Sequence, residues 1–171
     1  MKNPSVMKGI EHLKGKDKIK VLFVCLGNIC RSPAADGIMR AVVESHGDSD
    51  RWVIDSAGTY AGHAGQLPDQ RMRVHARRRG YDLTHRARRV TTEDFERFDL
   101  IIPMDSANAS NLRDLAPTVE AMDKIVPMID FVTRSTRYDY VPDPYYEGSE
   151  GFELVLDLLE DGCANLYNAL S

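Results

Sequence analysis

The strongest chemical feature of the sequence is the segment 25–32, which reads CLGNICRS. It follows a short apolar run and precedes a segment with helical periodicity. A loop that curls just before a helix can turn successive backbone N–H groups into one concavity, where they and the helix dipole bind an oxyanion. We call residues 25–32 the phosphate loop. Its predicted phosphate-binding residues are Leu26, Gly27, Asn28, Ile29, Cys30, Arg31 and Ser32.

Three side chains give this loop its chemistry. Cys25 stands at the predicted end of a strand, where the positive surroundings favour a thiolate, and a thiolate is a nucleophile at neutral pH. Arg31 can clamp two oxygens of a bound anion. Ser32 can donate a hydrogen bond to the sulfur, which stabilises the thiolate when it leaves in a second step. We therefore predict that Cys25 attacks a phosphate ester and that Arg31 binds its oxygens.

A phosphate ester also needs a proton donor for its departing oxygen, because an unprotonated alkoxide or phenolate leaves poorly. The sequence offers Asp143, which lies between two prolines in the segment YVPDPYY. The prolines stiffen this loop, and its tyrosines can form flat walls for an aromatic substrate. We predict that Asp143 is the general acid and that Tyr145 and Tyr146 line the substrate cleft.

The elements around these residues alternate between strands and helices. Apolar runs predict strands at 19–24, 52–54, 88–90, 99–104 and 124–128. Periodicity and capping residues predict helices at 33–44, 69–79, 92–98 and 105–114, and a last helix that Ser149 caps. This alternation predicts an α/β fold, a single-domain, doubly wound (flavodoxin-like) parallel sheet of four to five strands with helices on both faces. Pro103 lacks a ladder donor and is expected at the end of its strand.

Length and composition favour one folded domain. The chain has 171 residues, of which 43% are hydrophobic and 28% are charged. We divide it into a polar extension, residues 1–18, and a main domain, residues 19–171. The longest apolar run, residues 21–26, is far shorter than the ~20 residues that span a bilayer. The extension has no apolar stretch like that of a signal peptide, so the expected location is cytoplasmic.

Three cysteines leave at least one thiol unpaired and cannot form a disulfide framework for a chain of this size. Cys163 falls at helical spacing among the apolar residues of the last helix, and we predict that it lies in the core. No second Cys or His pair stands at ligand spacing near Cys25 and Cys30. We therefore predict no metal site.

Charge is unevenly distributed along the chain. The net charge of -4 argues against general binding to nucleic acid. Residues 71–89 contain eight arginines and one acid, whereas residues 138–171 contain eight acids and no lysine or arginine. Two interpretations are open. The segments are either solvated helix faces that balance each other, or the source of a positive field that steers an anionic substrate.

These motifs resemble those of the low-molecular-weight protein tyrosine phosphatases. That family has a V-C-x-G-N-I-C-R-S-P loop near its N-terminus and an acid in a late D-P-Y/F segment, and both are present here, at residues 24–33 and 143–145. Shorter matches occur at 55–58, 68–71, 85–88 and 104–105. The resemblance implies a phosphatase domain at 19–171, a cysteinyl-phosphate on Cys25, Arg31 as phosphate ligand, and Asp143 as acid and then base. It implies no metal or cofactor.

The resemblance also implies supporting roles. Asn28, Ser32, Ser56 and His85 match a polar network that holds the phosphate loop in a strained shape. Cys30 matches a second cysteine that can form a reversible disulfide with the nucleophile and so protect it from over-oxidation. The implied partner is a phosphotyrosine-containing protein, and phosphate is the product. We expect a monomer or weak homodimer without nucleic-acid or membrane partners.

One loop departs from the family pattern. After residues 55–59 the family often has an aromatic residue in a D-W-H-V-G-like segment, where it forms one wall of the cleft, but this sequence reads YAGHAG. Gly62 stands where the tryptophan would be. Either Tyr60 supplies the wall instead, or the cleft is open on that side. The extension also has no counterpart in the family.

Three other functions compete with this one. An arsenate reductase on the same scaffold needs two further cysteines in a segment near residues 80–100, and none lies there. In protein arginine phosphatases the residue before the second loop cysteine tends to be Thr, whereas Ile29 leaves less room for a guanidinium. A non-enzymatic phosphotyrosine-binding module would lack Cys25, Arg31 or Asp143, and all three are present. Hydrolysis of phosphotyrosine is therefore the expected function.

Overall fold

Three parallel strands form a sheet whose middle strand leads into the phosphate loop. The computed structural model describes residues 4–134 and 137–171. Its strands are β1 (Ile19–Cys25), β2 (Trp52–Gly58) and β3 (Leu100–Pro103), in the order β2-β1-β3. The helices are α1 (Pro4–Ile10), α2 (Arg31–Ser45), α3 (Gln70–Arg78), α4 (Asp94–Arg97), α5 (Ser106–Leu115), α6 (Val119–Met122) and α7 (Ser149–Leu170). The alternation of strands and helices thus produces an α/β domain with a parallel sheet, as the sequence predicts.

β1 is buried on both of its faces. Ile19, Val21 and Phe23 belong to one apolar cluster, which also contains residues of α2 and α7. Leu22 and Val24 belong to a second cluster, which contains residues of α4 and α5. Successive side chains of a strand point to opposite faces, so a strand covered on both sides needs apolar residues throughout. Each fully buried side chain of this size contributes roughly 1.5–3 kcal/mol to the stability of the fold. The central position of the sheet buries both faces of β1 and therefore gains the most from its apolar residues.

The sheet has three strands and not the four to five that the sequence predicts. Ile125, in the predicted fifth strand, makes an isolated bridge to Ile101. The amide of Ile101 donates to Lys124, and its carbonyl accepts from Val126. The next donor along β3 would be residue 103, which is a proline without an N–H, so the ladder stops after one rung. Pro103 does end β3, as predicted.

The predicted strand at 88–90 is also reduced to an isolated bridge, between Gly58 and Arg89. Directly after it, the amide of Thr91 donates to the Asp94 carboxylate at 2.8 Å, and the chain turns into α4. Arg88 also pairs with Asp94, at 3.0 Å. These local side-chain contacts satisfy the backbone in a turn, and they compete with the extended form that a longer ladder needs.

Side-chain caps define the start of two helices near the phosphate loop. Asp69 accepts hydrogen bonds from two backbone amides in the first turn of α3, and Asp105 accepts one in the first turn of α5. The predicted cap of the last helix is wrong, because Ser149 is the first residue of α7 and the capping position is Gly148. Glycine has no side-chain acceptor, so α7 begins without a side-chain cap.

α7 is the longest helix and packs against α2. Its apolar residues face the core at helical spacing, and Cys163 among them is fully buried, as predicted. Its outer face carries acids, including Asp157. Within residues 4–134 and 137–171, no helix is both long and apolar enough to cross a membrane.

The polar extension packs onto the same core through four apolar side chains, and its residues 1–3 lie outside the described part. α1 continues into a 3-10 helix (Glu11–Leu13), and Ile10 and Leu13 are buried in the cluster that contains α7. Lys16 forms an ion pair with Asp99 at 2.8 Å. The boundary at residue 18 stays a prediction, but the apolar side chains of residues 6–13 are packed against the domain.

Candidate active site

The phosphate loop connects the carboxyl end of β1 to the N-terminus of α2. Cys25 is the last residue of the strand, and Arg31 is the first residue of the helix. Ligands of parallel α/β sheets bind at the carboxyl ends of strands, and the N-terminus of a helix adds the positive end of its dipole. Both effects therefore favour an anion at this loop.

Carbonyl groups of the loop point outward. Those of Cys25 and Leu26 accept hydrogen bonds from the two residues that follow β2, and that of Ile29 accepts from the Asp69 amide at 2.7 Å. In a trans peptide, the N–H of the next residue points in the opposite direction from the carbonyl. The amides after these three carbonyls therefore face the concave side, where they form an anion-binding cradle.

Asn28 holds the loop in an unusual shape. Its φ of 57° lies in the left-handed region, which no other non-glycine residue among those described adopts. The side-chain nitrogen of Asn28, Nδ2, donates to Ser32 Oγ at 2.7 Å and to Ser56 Oγ at 3.1 Å. Its amide oxygen accepts from His85 Nε2 at 3.1 Å and from the Arg88 amide at 3.0 Å. Four hydrogen bonds thus offset the strain at one residue.

Gly58 allows β2 to pass close beneath the loop. A Cβ atom at this position would lie 2.7 Å from the carbonyl oxygen of Leu26 and 3.0 Å from the amide nitrogen of Asn28. Both are backbone atoms of the phosphate loop, which cannot move aside without opening the cradle. Glycine is therefore required here on steric grounds.

Cys25 lies at the base of the cradle, with Sγ 3.0 Å from Ser32 Oγ. The side-chain amide of Asn28 already donates to the Ser32 oxygen, so the hydroxyl hydrogen of Ser32 is available for another acceptor. The alternative acceptor, the carbonyl of Ala57, is farther away at 3.4 Å. The arrangement lets Ser32 donate a hydrogen bond to a thiolate at Cys25.

Arg31 is buried and fixed by groups from two other segments. Its Nη1 donates to Asp105 Oδ2 at 2.7 Å and to the Val141 carbonyl at 3.0 Å, and its Nη2 is 3.6 Å from Asp143 Oδ2. Burial alone would lower the pKa of Arg31, but the negative groups of Cys25, Asp105 and Asp143 outweigh burial and raise it. Arg31 therefore keeps its positive charge in the interior.

A cleft opens above the loop and contains all three predicted catalytic residues. The carboxylate of Asp143 stands at its edge, where Oδ1 accepts from the Tyr145 amide at 3.0 Å. The rings of Tyr145 and Tyr146 meet edge to face, with centroids 5.0 Å apart. The cleft is lined by Cys25, Leu26, Gly27, Ile29, Cys30, Arg31, Tyr60, His63, Asp143, Tyr145 and Tyr146.

Tyr60 covers the position at which the family has its aromatic residue. A Cβ atom at Gly62 would lie 2.1 Å from the Tyr60 ring, so the ring occupies the space that a larger residue 62 would need. Tyr60 is 56% exposed, and the ring of His63 meets it edge-on at 6.1 Å. Both side chains line the cleft.

Cys30 differs from Cys25 in its surroundings, although both thiols are free. It occupies the N-cap position of α2, where it is buried. Burial, followed by the negative charge of Asp69, raises the pKa of the Cys30 thiol far above its ordinary value. Cys30 is therefore a neutral thiol at physiological pH, whereas Ser32 is placed to stabilise a thiolate at Cys25.

Within the described residues, Asp36, Asp55 and His85 place donor atoms within 4.8 Å of one another, which is close enough to share a metal ion. None of the three lines the cleft. The carboxylates already pair with Arg40 and Arg88, at 2.5 Å and 3.0 Å. Because two guanidinium groups balance the two carboxylates, this set is a poor receptor for a cation.

Sequence reasoning missed two residues of the site. His63 lines the cleft against Gly27 of the phosphate loop, and its Nδ1 is 3.1 Å from Gln66 Oε1. Asp105 holds Arg31 at 2.7 Å. The family match at residues 104–105 could have identified Asp105 as a site residue. For His63 the sequence offers only its position in the segment YAGHAG, which departs from the family pattern.

Known proteins with similar sequences and structures fit this geometry. Residues 20–171 match the family model described as low molecular weight phosphotyrosine protein phosphatase. A relative from Synechocystis sp. is 47% identical over 152 residues, which are 89% of this chain and 96% of the relative. The crystal structure of a protein tyrosine phosphatase from Entamoeba histolytica has a TM-score of 0.85 and 46% identity, over 88% of this chain and 96% of that one. A Drosophila arginine phosphatase has a TM-score of 0.81 and 30% identity, over the same shares.

A parallel α/β fold with a Cys-x5-Arg loop at the end of its central strand, together with an aspartate in the same cleft, fits a phosphatase with a cysteine nucleophile. The match over nearly the whole chain narrows this class, and the chain belongs to the low-molecular-weight phosphotyrosine protein phosphatase family. The resemblance found in the sequence is thereby confirmed, together with the enzyme class that it implies.

Proposed function

We propose that this protein hydrolyses phosphotyrosine in protein substrates through a cysteinyl-phosphate and without a metal ion. The observation that carries the proposal is the presence of Cys25, Arg31 and Asp143 in one cleft. A nucleophile, an anion clamp and a proton donor are the groups needed to move a phosphoryl group from an aryl ester to a thiol. Membership of the family supports the same chemistry.

In the first step, the Cys25 thiolate attacks phosphorus. The S–P bond forms while the bond from phosphorus to the phenolic oxygen breaks, and Asp143 gives its proton to that oxygen. Arg31 and the loop amides bind the three non-bridging oxygens throughout. Because Asp105 accepts from Arg31 at 2.7 Å, the guanidinium is oriented before substrate arrives.

In the second step, water attacks phosphorus from the side that the phenol has left. Asp143, now a carboxylate, takes a proton from this water as the S–P bond breaks. The sulfur leaves as a thiolate, and Ser32, 3.0 Å away, donates a hydrogen bond to it. Phosphate is released, and both Cys25 and Asp143 return to their starting states.

The walls of the cleft favour an aromatic ester. Tyr60, Tyr145 and Tyr146 surround its entrance, and Ile29 lines it close to the phosphate position. A phenol ring can stack against the tyrosines, whereas a phosphoserine has no ring to contact them. The apolar side chain of Ile29 offers no partner for the polar guanidinium of a phosphoarginine, which argues against the activity named for the Drosophila relative.

Wild-type protein is expected to hydrolyse phenyl phosphate at mildly acidic pH in excess EDTA, at the rate found without EDTA, because attack by a thiolate needs no metal ion. Steady-state release of phosphate measures this, and phosphotyrosine peptide and phosphoarginine are compared as substrates in the same assay. Loss of activity in EDTA that a divalent cation restores would contradict the metal-free mechanism. Turnover of phosphoarginine in preference to phosphotyrosine would contradict the substrate.

Replacing Tyr60 with alanine is expected to raise the KM for phosphotyrosine peptide about 2- to 10-fold, with a smaller change in kcat, because one aromatic contact is worth about 0.5–1.5 kcal/mol. Tyr140→Ala is the matched control, since Tyr140 is 46% exposed but does not line the cleft. Equal effects of the two substitutions would show that Tyr60 is not a wall of the substrate site.

Three further expectations stay predictions. They are the cytoplasmic location, the state as a monomer or weak homodimer, and the reversible disulfide between Cys25 and Cys30. The two thiols line the same cleft, which makes both accessible to an oxidant that enters it. The roles of Asn28, Ser32, Ser56 and His85 in supporting the loop belong to the same proposal.

A further inference from the structure

Within residues 4–134 and 137–171, five of the eight arginines in residues 71–89 form no ion pair with a carboxylate. Among the described residues, the other three, Arg71, Arg79 and Arg88, form ion pairs with acids. The unpaired arginines are Arg73, Arg77, Arg78, Arg86 and Arg89. This segment therefore keeps a local excess of positive charge, although the whole chain has a net charge of -4.

Two of the unpaired arginines are fixed on the loop that forms one wall of the cleft. This loop, residues 59–68, is called the cleft loop, because Tyr60 and His63 on it line the cleft. Arg86 Nη1 donates to a carbonyl of the cleft loop, at residue 65, over 2.9 Å. Arg73 Nε donates a hydrogen bond to the carbonyl oxygen of Pro68, also at 2.9 Å. We call these two guanidinium groups the arginine ledge, and each has further N–H donors for a ligand.

The arginine ledge lies close to the phosphate loop. His63 contacts Gly27, and Gly65, which holds Arg86, follows two residues later, at most ~7 Å along the chain. Successive residues of an extended peptide are ~3.3 Å apart, so residues two to four positions from a bound phosphotyrosine lie ~7–13 Å away. Side chains at these positions of a substrate can therefore contact the ledge.

The opposite side of the cleft is acidic. Asp143 stands on it, and Glu147 and Glu150 border the groove behind the same loop. Asp69, which begins the helix that carries Arg73, is already paired with Arg71 at 3.0 Å and leaves the ledge positive. The cleft is thus electrically polarised, and an acidic peptide segment is attracted to one side and repelled from the other.

We propose that the arginine ledge selects phosphotyrosine peptides with acidic residues on one flank. The acidic residues lie across Arg73 and Arg86 while the phosphate occupies the phosphate loop. The proposal rests on the proposed function and names its substrate class. It adopts the second of the two interpretations of the arginine-rich segment, a positive field that steers an anionic substrate, because Arg73 and Arg86 are unpaired and lie on a cleft wall.

Matched phosphotyrosine peptides test the proposal. Each has two glutamates either before or after the phosphotyrosine, and its partner has glutamines in their place. For one flank, kcat/KM of the wild type is expected to be about 3- to 10-fold higher with glutamate at low salt. This ratio is expected to approach one at ~0.5 M salt, because exposed charges are then screened.

Charge-neutral variants locate the effect. Arg86→Gln keeps a donor for the Gly65 carbonyl and is expected to lower the glutamate-to-glutamine ratio about 2- to 5-fold, and adding Arg73→Gln is expected to lower it further. Arg86→Lys keeps the charge and is expected to retain most of the preference. Lys14→Gln removes the same charge from an exposed residue that precedes the amino end of β1 and does not line the cleft, and it is expected to change nothing.

Phenyl phosphate, which has no flanking residues, separates this proposal from the proposed function. All variants are expected to hydrolyse it at the wild-type rate. A wild type that is active on phenyl phosphate but shows equal kcat/KM for glutamate and glutamine peptides on both flanks would overturn the arginine ledge alone. A preference that survives both arginine substitutions would overturn it as well, whereas an inactive wild type would overturn the proposed function.

Discussion

Cys25→Ser is expected to abolish hydrolysis of phenyl phosphate, with a loss on the order of 10⁴-fold or more in kcat. A serine hydroxyl is not ionised at neutral pH, and the Ser32 hydroxyl 3.0 Å from this position is a hydrogen-bond donor that cannot take its proton. The loop amides and Arg31 are unchanged, so phosphate is expected to bind with similar affinity. Steady-state kinetics and competition by phosphate in a binding assay measure the two properties separately.

Cys163→Ala is the control for loss of a thiol as such. Cys163 is fully buried in the core and does not line the cleft, so its removal affects packing and not chemistry. We expect this variant to have nearly wild-type kcat and a lower melting temperature. Comparable activity of Cys25→Ser and the wild type would refute the nucleophile, and inactivity of Cys163→Ala in a folded state would point to a second essential thiol.

The phosphate loop could be predicted from the sequence because its causes are local. An apolar strand, a turn with Gly27 and Asn28, and a helix start follow one another within residues 19–33. The network that holds Asn28 is less local, since Ser56 and His85 lie 28 and 57 residues away along the chain. These partners came from the family resemblance, because spacing alone cannot place such distant side chains.

The number of strands could not be predicted, because an apolar run does not reveal which of its neighbours can donate a hydrogen bond. Residues 124–128 have the composition of a strand, but the limiting residue is Pro103 on the adjacent strand. A ladder between parallel strands needs alternating donors from both partners. The sequence shows the proline and predicts its position, but its effect on Ile125 depends on the pairing of the two segments.

The extension was interpreted as polar because lysines dominate it. Val6, Met7, Ile10 and Leu13 nevertheless stand at helical spacing, and all four pack against the core cluster. The pattern covers less than two turns before the 3-10 helix, which is too short for periodicity to be convincing. Tertiary contacts with α7 therefore decide the structure of this segment.

Asp143→Ala is expected to lower kcat for phenyl phosphate by about 10² to 10⁴-fold, because the phenolate must then leave without a proton. The loss in kcat/KM, which reports the steps up to formation of the cysteinyl-phosphate, is expected to be much smaller for an aryl ester of an acidic phenol, such as 4-nitrophenyl phosphate, since that leaving group needs little protonation. Steady-state kinetics with a series of aryl phosphates measures the dependence of kcat/KM on the acidity of the leaving phenol. We expect this dependence to be steeper in the variant than in the wild type.

Two substitutions separate proton transfer from the structure of the loop. Asp143→Asn keeps an oxygen that can accept from the Tyr145 amide but has no acidic proton, so it is expected to lose as much activity as Asp143→Ala. Asp139→Ala removes an exposed acid of the same segment that does not line the cleft, and it is expected to be nearly fully active. If Asp143→Asn instead retained wild-type activity, Asp143 would act through its hydrogen bond to the loop, and the acid would have to be another residue of the cleft. The dependence on the leaving group decides this point, because a residue that only orders the loop slows all aryl phosphates equally, whereas the loss of a proton donor slows those with the least acidic phenols most.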